Sequence, residues 1–159
     1  MSIYATVGSH IYIGQTMAQQ SADFVEADFD GMSWVEINWA ENIGAFGDES
    51  AEITFDAIGE GRTIKLKGVR NAGNVALVFG ADYEDSGQAA LRAAEATPHD
   101  YAFKVEFDDA PEGGTPSLRY FIAKVMSARE TLDAANNVIK LSTTLGINSN
   151  IVRVDAAGP

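Results

Sequence analysis

The 159-residue sequence contains no cysteine. That excludes a disulfide framework, a thiolate zinc site, an iron–sulfur cluster and a cysteine nucleophile. Histidine is nearly absent as well, with only His10 and His99. A zinc site draws three or four ligands mainly from His and Cys, so the supply for one is poor. No apolar run approaches the ~18 residues of a membrane span. The opening MSIYATVGSHIYIG lacks the basic start and long apolar stretch of an export signal. The expectation is a soluble protein with no membrane partner. Basic residues are missing from an entire region: positions 1–61 hold no Lys or Arg and eleven acids. From Arg62 onward, twelve acids face eleven bases, which leaves a net charge of −12 overall. Neutralising a phosphate backbone needs clustered Lys and Arg, so a simple nucleic-acid binder is excluded.

Motifs that carry chemistry are also missing. Ser, His and Asp occur without a G-x-S-x-G elbow. Asp28-Phe29-Asp30-Gly31 has the flavour of a calcium loop but lacks the third ligand and the distal Glu. Gly59-Glu60-Gly61 has neither the spacing nor the strand–turn–helix setting of a phosphate loop, and fits a hairpin turn better. Carboxylates are plentiful, yet no pair stands out as a glycosidase couple. The expectation is therefore no catalytic residue, no metal ligand and no cofactor.

What is present is strand signal. Residues 10–14 (HIYIG) open it. Residues 33–39 (SWVEINW) alternate, with Val35, Ile37 and Trp39 on one face. Residues 51–57 (AEITFDA) place Ile53 and Phe55 inward, and Glu52, Thr54 and Asp56 outward. Gly59-Glu60-Gly61 turns the chain into 62–68 (RTIKLKG), which predicts a hairpin. Further strands are predicted at 74–79, 101–107, 117–128, 137–147 and 151–154. One helix is predicted at 86–96 (SGQAALRAAEA), with Asp85 as N-cap, Gln88 as its capping-box partner and Leu91, Ala90 and Ala94 as the docking stripe. The fold class is mainly β: an antiparallel β-sandwich or partial barrel with one short flanking α-helix. One domain spans 1–159, with long loops at 15–32 and 40–50 and a C-terminal arm at about 148–159. The apolar pair Ile43 and Phe46, set among glycines and acids, either docks on a partner or tucks onto its own core.

The run 43–79, IGAFGDESAEITFDAIGEGRTIKLKGVRNAGNVALVF, resembles the tail tube proteins of long, non-contractile-tailed bacteriophages. GQAALRAA (87–94), YAFKVEF (101–107), PEGGTP (111–116), the strand around 121–126 and LGINSNIV (145–152) follow in matching order. The resemblance covers nearly the whole chain and contains no catalytic signature. It implies a tail-tube fold whose copies form a ring-shaped multi-subunit β-barrel. Homohexameric rings stack into a hollow tube that conducts double-stranded DNA from capsid to host cell, without specific binding to its wall. The implied partners are further copies of the chain, together with tail terminator, tail tip and tape-measure proteins. The implied location is the virion tail, with assembly in the host cytoplasm. By the same resemblance the 40–50 loop reaches a neighbouring subunit or ring, which makes Ile43, Phe46, Asp48 and Glu49 candidate contacts.

A carboxylate-lined lumen would repel DNA, and Glu52 and Asp56 are the candidate lumen-facing acids. Lys65 and Lys67 argue against a uniformly acidic wall. The alternative readings are a ring protein of a related injection system, a tail adaptor or terminator, and a monomeric β-sandwich module that binds sugar or protein.

Overall fold

The computed structural model describes residues 2–159. The predicted strands form with shifted ends, and a further short one, β3, forms at the start of the stretch expected to be a loop: β1 (His10–Thr16), β2 (Val35–Glu36), β3 (Ala40–Asn42), β4 (Glu49–Phe55), β5 (Ile64–Asn71) and β6 (Asn74–Gly80) precede the helix. After α1 (Ser86–Glu95) come β7 (Tyr101–Glu106), β8 (Leu118–Thr131), β9 (Lys140–Ile147) and β10 (Val152–Val154). One antiparallel sheet runs in the order β2-β1-β7-β8-β9-β6-β3, with β10 also on β8, while β4 and β5 pair only with each other. The long strand β8 spans both halves of the sheet. Its start pairs with β7 up to Ala123, and its end pairs with β9 from Ala123 to Thr131, with a register shift between Val125 and Ser127. The sheet folds over a core in which Ile11, Ile13, Phe103 and Phe121 meet Leu77, Phe79, Leu141 and Leu145.

The segment 33–39 is not the single strand its alternation predicts. Ile37 is buried, but Val35 and Trp39 are exposed. Trp39 adopts φ 65, in the left-handed region, where a bulky residue carries about 1–3 kcal/mol of strain. That kink lets the chain leave one edge of the sheet and join the other. Ile37 donates its backbone N–H to the Ile11 carbonyl, and Gly80 donates its own to the Trp39 carbonyl. The two ends of the sheet are thus joined through the chain without a continuous ladder, which makes a split barrel.

The helix secures this crossing. Asp85 caps α1 by accepting the Gln88 N–H at 3.0 Å, and it also accepts the Asn38 side-chain amide at 2.6 Å and the Asn38 backbone N–H at 3.2 Å. Gln88 does not complete the predicted capping box. Its amide, fully buried, donates to the carbonyls of Asn38 and Gly80, and its oxygen accepts the Asp82 N–H. Leu91 and Ala94 face the core as expected. Gly87 lies so close to the crossing that a Cβ would sit 2.2 Å from the Glu36 carbonyl oxygen.

The loop 15–32, polar by composition, is docked. Phe24 and Phe29 are buried in a second cluster with Tyr120 and Ile122, on the far face of the β1–β7–β8 half. The Phe29 and Tyr120 rings stack at 5.0 Å. Asp28 accepts the Val25 N–H at 2.9 Å, a local turn contact.

Two substitutions test this packing by urea unfolding. Gly87→Ala should lower stability by about 1–3 kcal/mol, because the crossing backbone must shift. Thr143 is 2% exposed and its hydroxyl lacks a partner among the described residues. Thr143→Val should therefore leave stability unchanged or raise it by about 1 kcal/mol.

Candidate functional site

The β4–β5 ribbon stands apart from the folded sheet. Ile53 pairs with Leu66 and Phe55 with Ile64, so these four side chains share one face; Glu52 pairs with Lys67 and Thr54 with Lys65 on the other. The alternation expected from sequence is correct, but the inward direction assigned to Ile53 and Phe55 is not met within the chain. Ile53, Phe55, Ile64 and Leu66 are 49%, 59%, 46% and 56% exposed. Ile58, at the tip, is fully exposed. A two-stranded ribbon is marginal by itself in water, and a contiguous apolar face of this kind marks an interaction surface. Period-two sequence reports which side chains share a face; it does not report whether the chain owns a cover for it.

The base of the ribbon is fixed. Arg70 donates to Asp48 at 2.6 Å, Glu49 pairs with Asn71, and the Asn71 side chain accepts the Gly73 N–H to turn the chain into β6. Ile43 and Phe46 pack against the main core, with the Phe46 ring 6.0 Å from that of Phe121. Gly44, at φ 75, passes close to the Ala76 carbonyl. The structure therefore places Asp48 and Glu49 at the ribbon's root, and Ile43 and Phe46 beneath it on their own core. The element that projects is Glu49–Asn71, which leaves the body at the end of the 40–50 stretch. Glu52 lies on the ribbon's polar face, 3.7 Å from Lys65; such an exposed pair adds little stability. Asp56 follows β4 and is exposed.

Two free backbone edges accompany the ribbon. β3 pairs only with β6, and β8 beyond Ala123 pairs only with β9. Unpaired edges of this kind template pairing with another chain. The histidines form no cluster: His10 contacts Glu36 across β1–β2 at 2.5 Å, and His99 borders a shallow hollow with Asp100 and Lys124. A cleft of about 370 Å³ beside Tyr4 is lined largely by apolar side chains, among them Ile43, Phe46 and Phe107.

The fold is shared with tube components of known structure. The chain superposes on the SPP1 tail tube with a TM-score of 0.59, 15% identity and coverage of 92% of this chain and 77% of that one. It superposes on the sheath/tube terminator of the extracellular contractile injection system PVC at 0.68, with 11% identity and coverage of 97% and 98%. A chain of the anti-feeding prophage (AFP) baseplate matches at 0.70, with 14% identity and 98% of both chains covered. No protein-family model matches the sequence, and no curated protein matches it. The protein thus has the tail-tube fold, and these structural neighbours come from a tail tube, a sheath/tube terminator and a baseplate rather than from enzymes.

The C-terminal arm folds back on its own chain. β10 pairs with β8, Ala156 donates its N–H to the Ser117 hydroxyl, and that hydroxyl donates to Asp109 at 2.6 Å. The Ser117 side chain, and then its backbone N–H, hold the Asp109 carboxyl below its ordinary value of 3.8. A depressed carboxyl stabilises the fold above its unfolded value, and that contribution is lost as pH falls through the folded one. Amide exchange at Ala156 and Ala157 should be slow at neutral pH and rise below about pH 4, whereas Asp109→Asn should exchange faster at neutral pH.

Proposed function

We propose that the chain is the repeating subunit of a hollow tail tube. The observation that carries this reading is the β4–β5 ribbon, whose apolar face has no cover in its own chain. In this reading, copies join through the free β3 and β8 edges, head to tail, and the joints close into a ring of six. Heterologous contacts close when the rotation between copies allows it. The ribbon then lays Ile53, Phe55, Ile64 and Leu66 on a neighbouring copy, with Asp48 and Glu49 at the margin of that contact and Ile43 and Phe46 supporting its root. Stacked rings form a conduit in a virion tail for double-stranded DNA. Terminator, tip and tape-measure proteins complete the assembly, and the host cytoplasm is where it is built.

Charge supports the same division. The ribbon residues 49–71 contain four acids and four bases, so they are neutral in a chain of −12. Two acidic bodies repel at long range, and a neutral apolar projection is the part that can approach another copy without that cost. A second reading, a tube terminator, is favoured by the higher TM-score to the PVC terminator than to the SPP1 tube. Terminators of this kind would stop at single rings, whereas tube subunits would polymerise.

Solution mass and negative-stain microscopy test the reading. Rings or tubes are expected, and a ~17 kDa monomer at high concentration and in the presence of tail-tip complexes counts against it. Phe55→Asp/Leu66→Asp should abolish assembly while shifting the melting temperature of the free chain by less than about 3 °C, since neither residue reaches the core. Raising salt from about 0.05 to 0.5 M should promote assembly, because it screens body–body repulsion and leaves the apolar contact intact.

A further inference from the structure

Trp39 breaks two local rules at once. Its backbone is left-handed, at φ 65, a conformation that costs a bulky residue free energy. Its indole is left 68% exposed, although tryptophan has more apolar surface to bury than any other side chain. The crossing between the two sheet edges does not require that residue. It uses the Trp39 carbonyl, which accepts the Gly80 N–H, and glycine would offer the same carbonyl without strain. The exposed ring therefore has no use inside its own chain.

The indole forms one wall of a hollow of about 590 Å³, whose other walls include Gly80, Ala81, Tyr83, Glu84 and Val138. Tyr83 and Val138 are largely exposed as well. Both rings are held in place: the Trp39 indole N–H donates to Asp82 at 3.0 Å, and the Arg92 guanidinium lies over the Tyr83 ring at 5.2 Å. Side chains held in this way have less freedom to lose on binding. The hollow sits where β6 ends, at Gly80 opposite Lys140. The β4–β5 ribbon leaves where β6 begins, beside Asn74 opposite Gly146. The length of β6, about 20 Å at the usual rise per residue, separates the two.

We infer that this hollow is the seat for the ribbon of a second copy of the chain, with Trp39 as its anchor. The inference rests on the tube reading and names the receiving surface, which that reading leaves open. Three observations support it. First, the apolar chemistry is matched. Ile53, Phe55, Ile64 and Leu66 lack cover, and the hollow presents Trp and Tyr, the side chains that most often anchor interfaces. Second, the charges are matched. Asp82 and Glu84 border the hollow, while Arg62, just before β5, is exposed and makes no ion pair among the described residues. Third, donor and receiver lie at opposite ends of β6, so each copy gives one ribbon and receives one. Such a head-to-tail contact repeats from copy to copy without exhausting either surface. The cleft beside Tyr4 is the poorer seat. Its apolar walls, Ile43, Phe46 and Val105, are already packed in the chain's own core, whereas Trp39, Tyr83 and Val138 belong to neither buried cluster.

Trp39→Gly separates the anchor from the fold. It deletes the indole and relaxes the left-handed backbone, so the free chain should melt no lower than the unaltered protein. Val138→Asp changes another wall of the hollow at an exposed loop position, and carries the test if Trp39→Gly folds poorly. Each variant should raise the concentration needed for tube formation at least tenfold, with tail-tip complexes present, and a folded variant that forms tubes at the unaltered concentration overturns the inference. Contact is read directly by Phe55→p-benzoylphenylalanine, irradiated in assembled tubes and mapped by mass spectrometry. Adducts to Trp39, Tyr83 or Val138 of another copy are expected. Adducts confined to the Tyr4 cleft or to the β3 and β8 edges overturn the seat and leave the tube reading standing. If the unaltered chain forms no ring or tube, the tube reading falls, and the seat with it.

Discussion

The hydrogen bonds that Asp85 and Gln88 make with the crossing segment are the constraint from which the rest of the architecture follows. Residues 35–42 must leave β1, cross the open end of the core and join β6. Their backbone groups at the crossing have no strand partner on both sides. A buried carbonyl without a partner costs free energy comparable to a lost hydrogen bond. Gln88 supplies two donors to the carbonyls of Asn38 and Gly80, and Asp85 accepts from Asn38 twice. The start of one helix therefore acts as the missing strand. Trp39 can hold its left-handed backbone there because its carbonyl is paired with Gly80 and its indole N–H donates to Asp82 at 3.0 Å. Without this closure the folded sheet would open at β2 and β3 and expose Ile37, Leu77 and Phe79.

Once the body is closed, what remains uncovered becomes informative. A folded chain satisfies itself where it can, as the 15–32 loop illustrates by burying Phe24 and Phe29. The same chain leaves an apolar ribbon face, two strand edges and the outward sheet face around Asn74, Ala76, Ser142 and Thr144 open. Each of the three has a different need: the ribbon lacks apolar cover, the edges lack backbone partners, and the sheet face lacks neither, because hydroxyls and amides are satisfied by water. In the proposed tube, copies of the chain would answer the first two needs and leave the third facing solvent. That asymmetry leads the functional reading toward assembly around a wet channel.

Much of this was legible in the residues, and the limits of legibility have physical causes. The strands, the Asp85 cap and the Leu91/Ala94 stripe follow from local periodicity and capping chemistry, which act over a few residues. Ile53 and Phe55 illustrate one limit. Alternation reads the same whether the cover is the chain's own core or another molecule. Residues 33–39 illustrate a second, since the left-handed turn at Trp39 is imposed by closure of the sheet and has no glycine or asparagine to announce it. Gln88 illustrates a third: its spacing from Asp85 fits a capping box, but tertiary demand for donors at Asn38 and Gly80 takes precedence over the local bond. Ile43 and Phe46 illustrate a fourth: an apolar pair in a loop reads the same whether it meets a partner or its own core, and here it reaches the core, while the segment that projects starts at Glu49.

Charge placement ties these elements together. The first 61 residues carry no cation, while β5 carries Arg62 just before it and Lys65, Lys67 and Arg70 within it. Pairing β5 with β4 therefore neutralises the ribbon by construction: Lys65 comes within reach of Glu52, and Arg70 binds Asp48. The body keeps the whole excess of negative charge. Such a distribution gives no benefit to a solitary molecule, whose solubility is served by charge anywhere on the surface. It matters for a molecule that must meet its own copies, because it concentrates attraction at one projection and repulsion everywhere else. Mis-stacked contacts between bodies then carry a like-charge cost, and the ribbon contact does not. In the proposed tube, specificity among identical subunits would come as much from what the acidic surface forbids as from what the apolar face attracts.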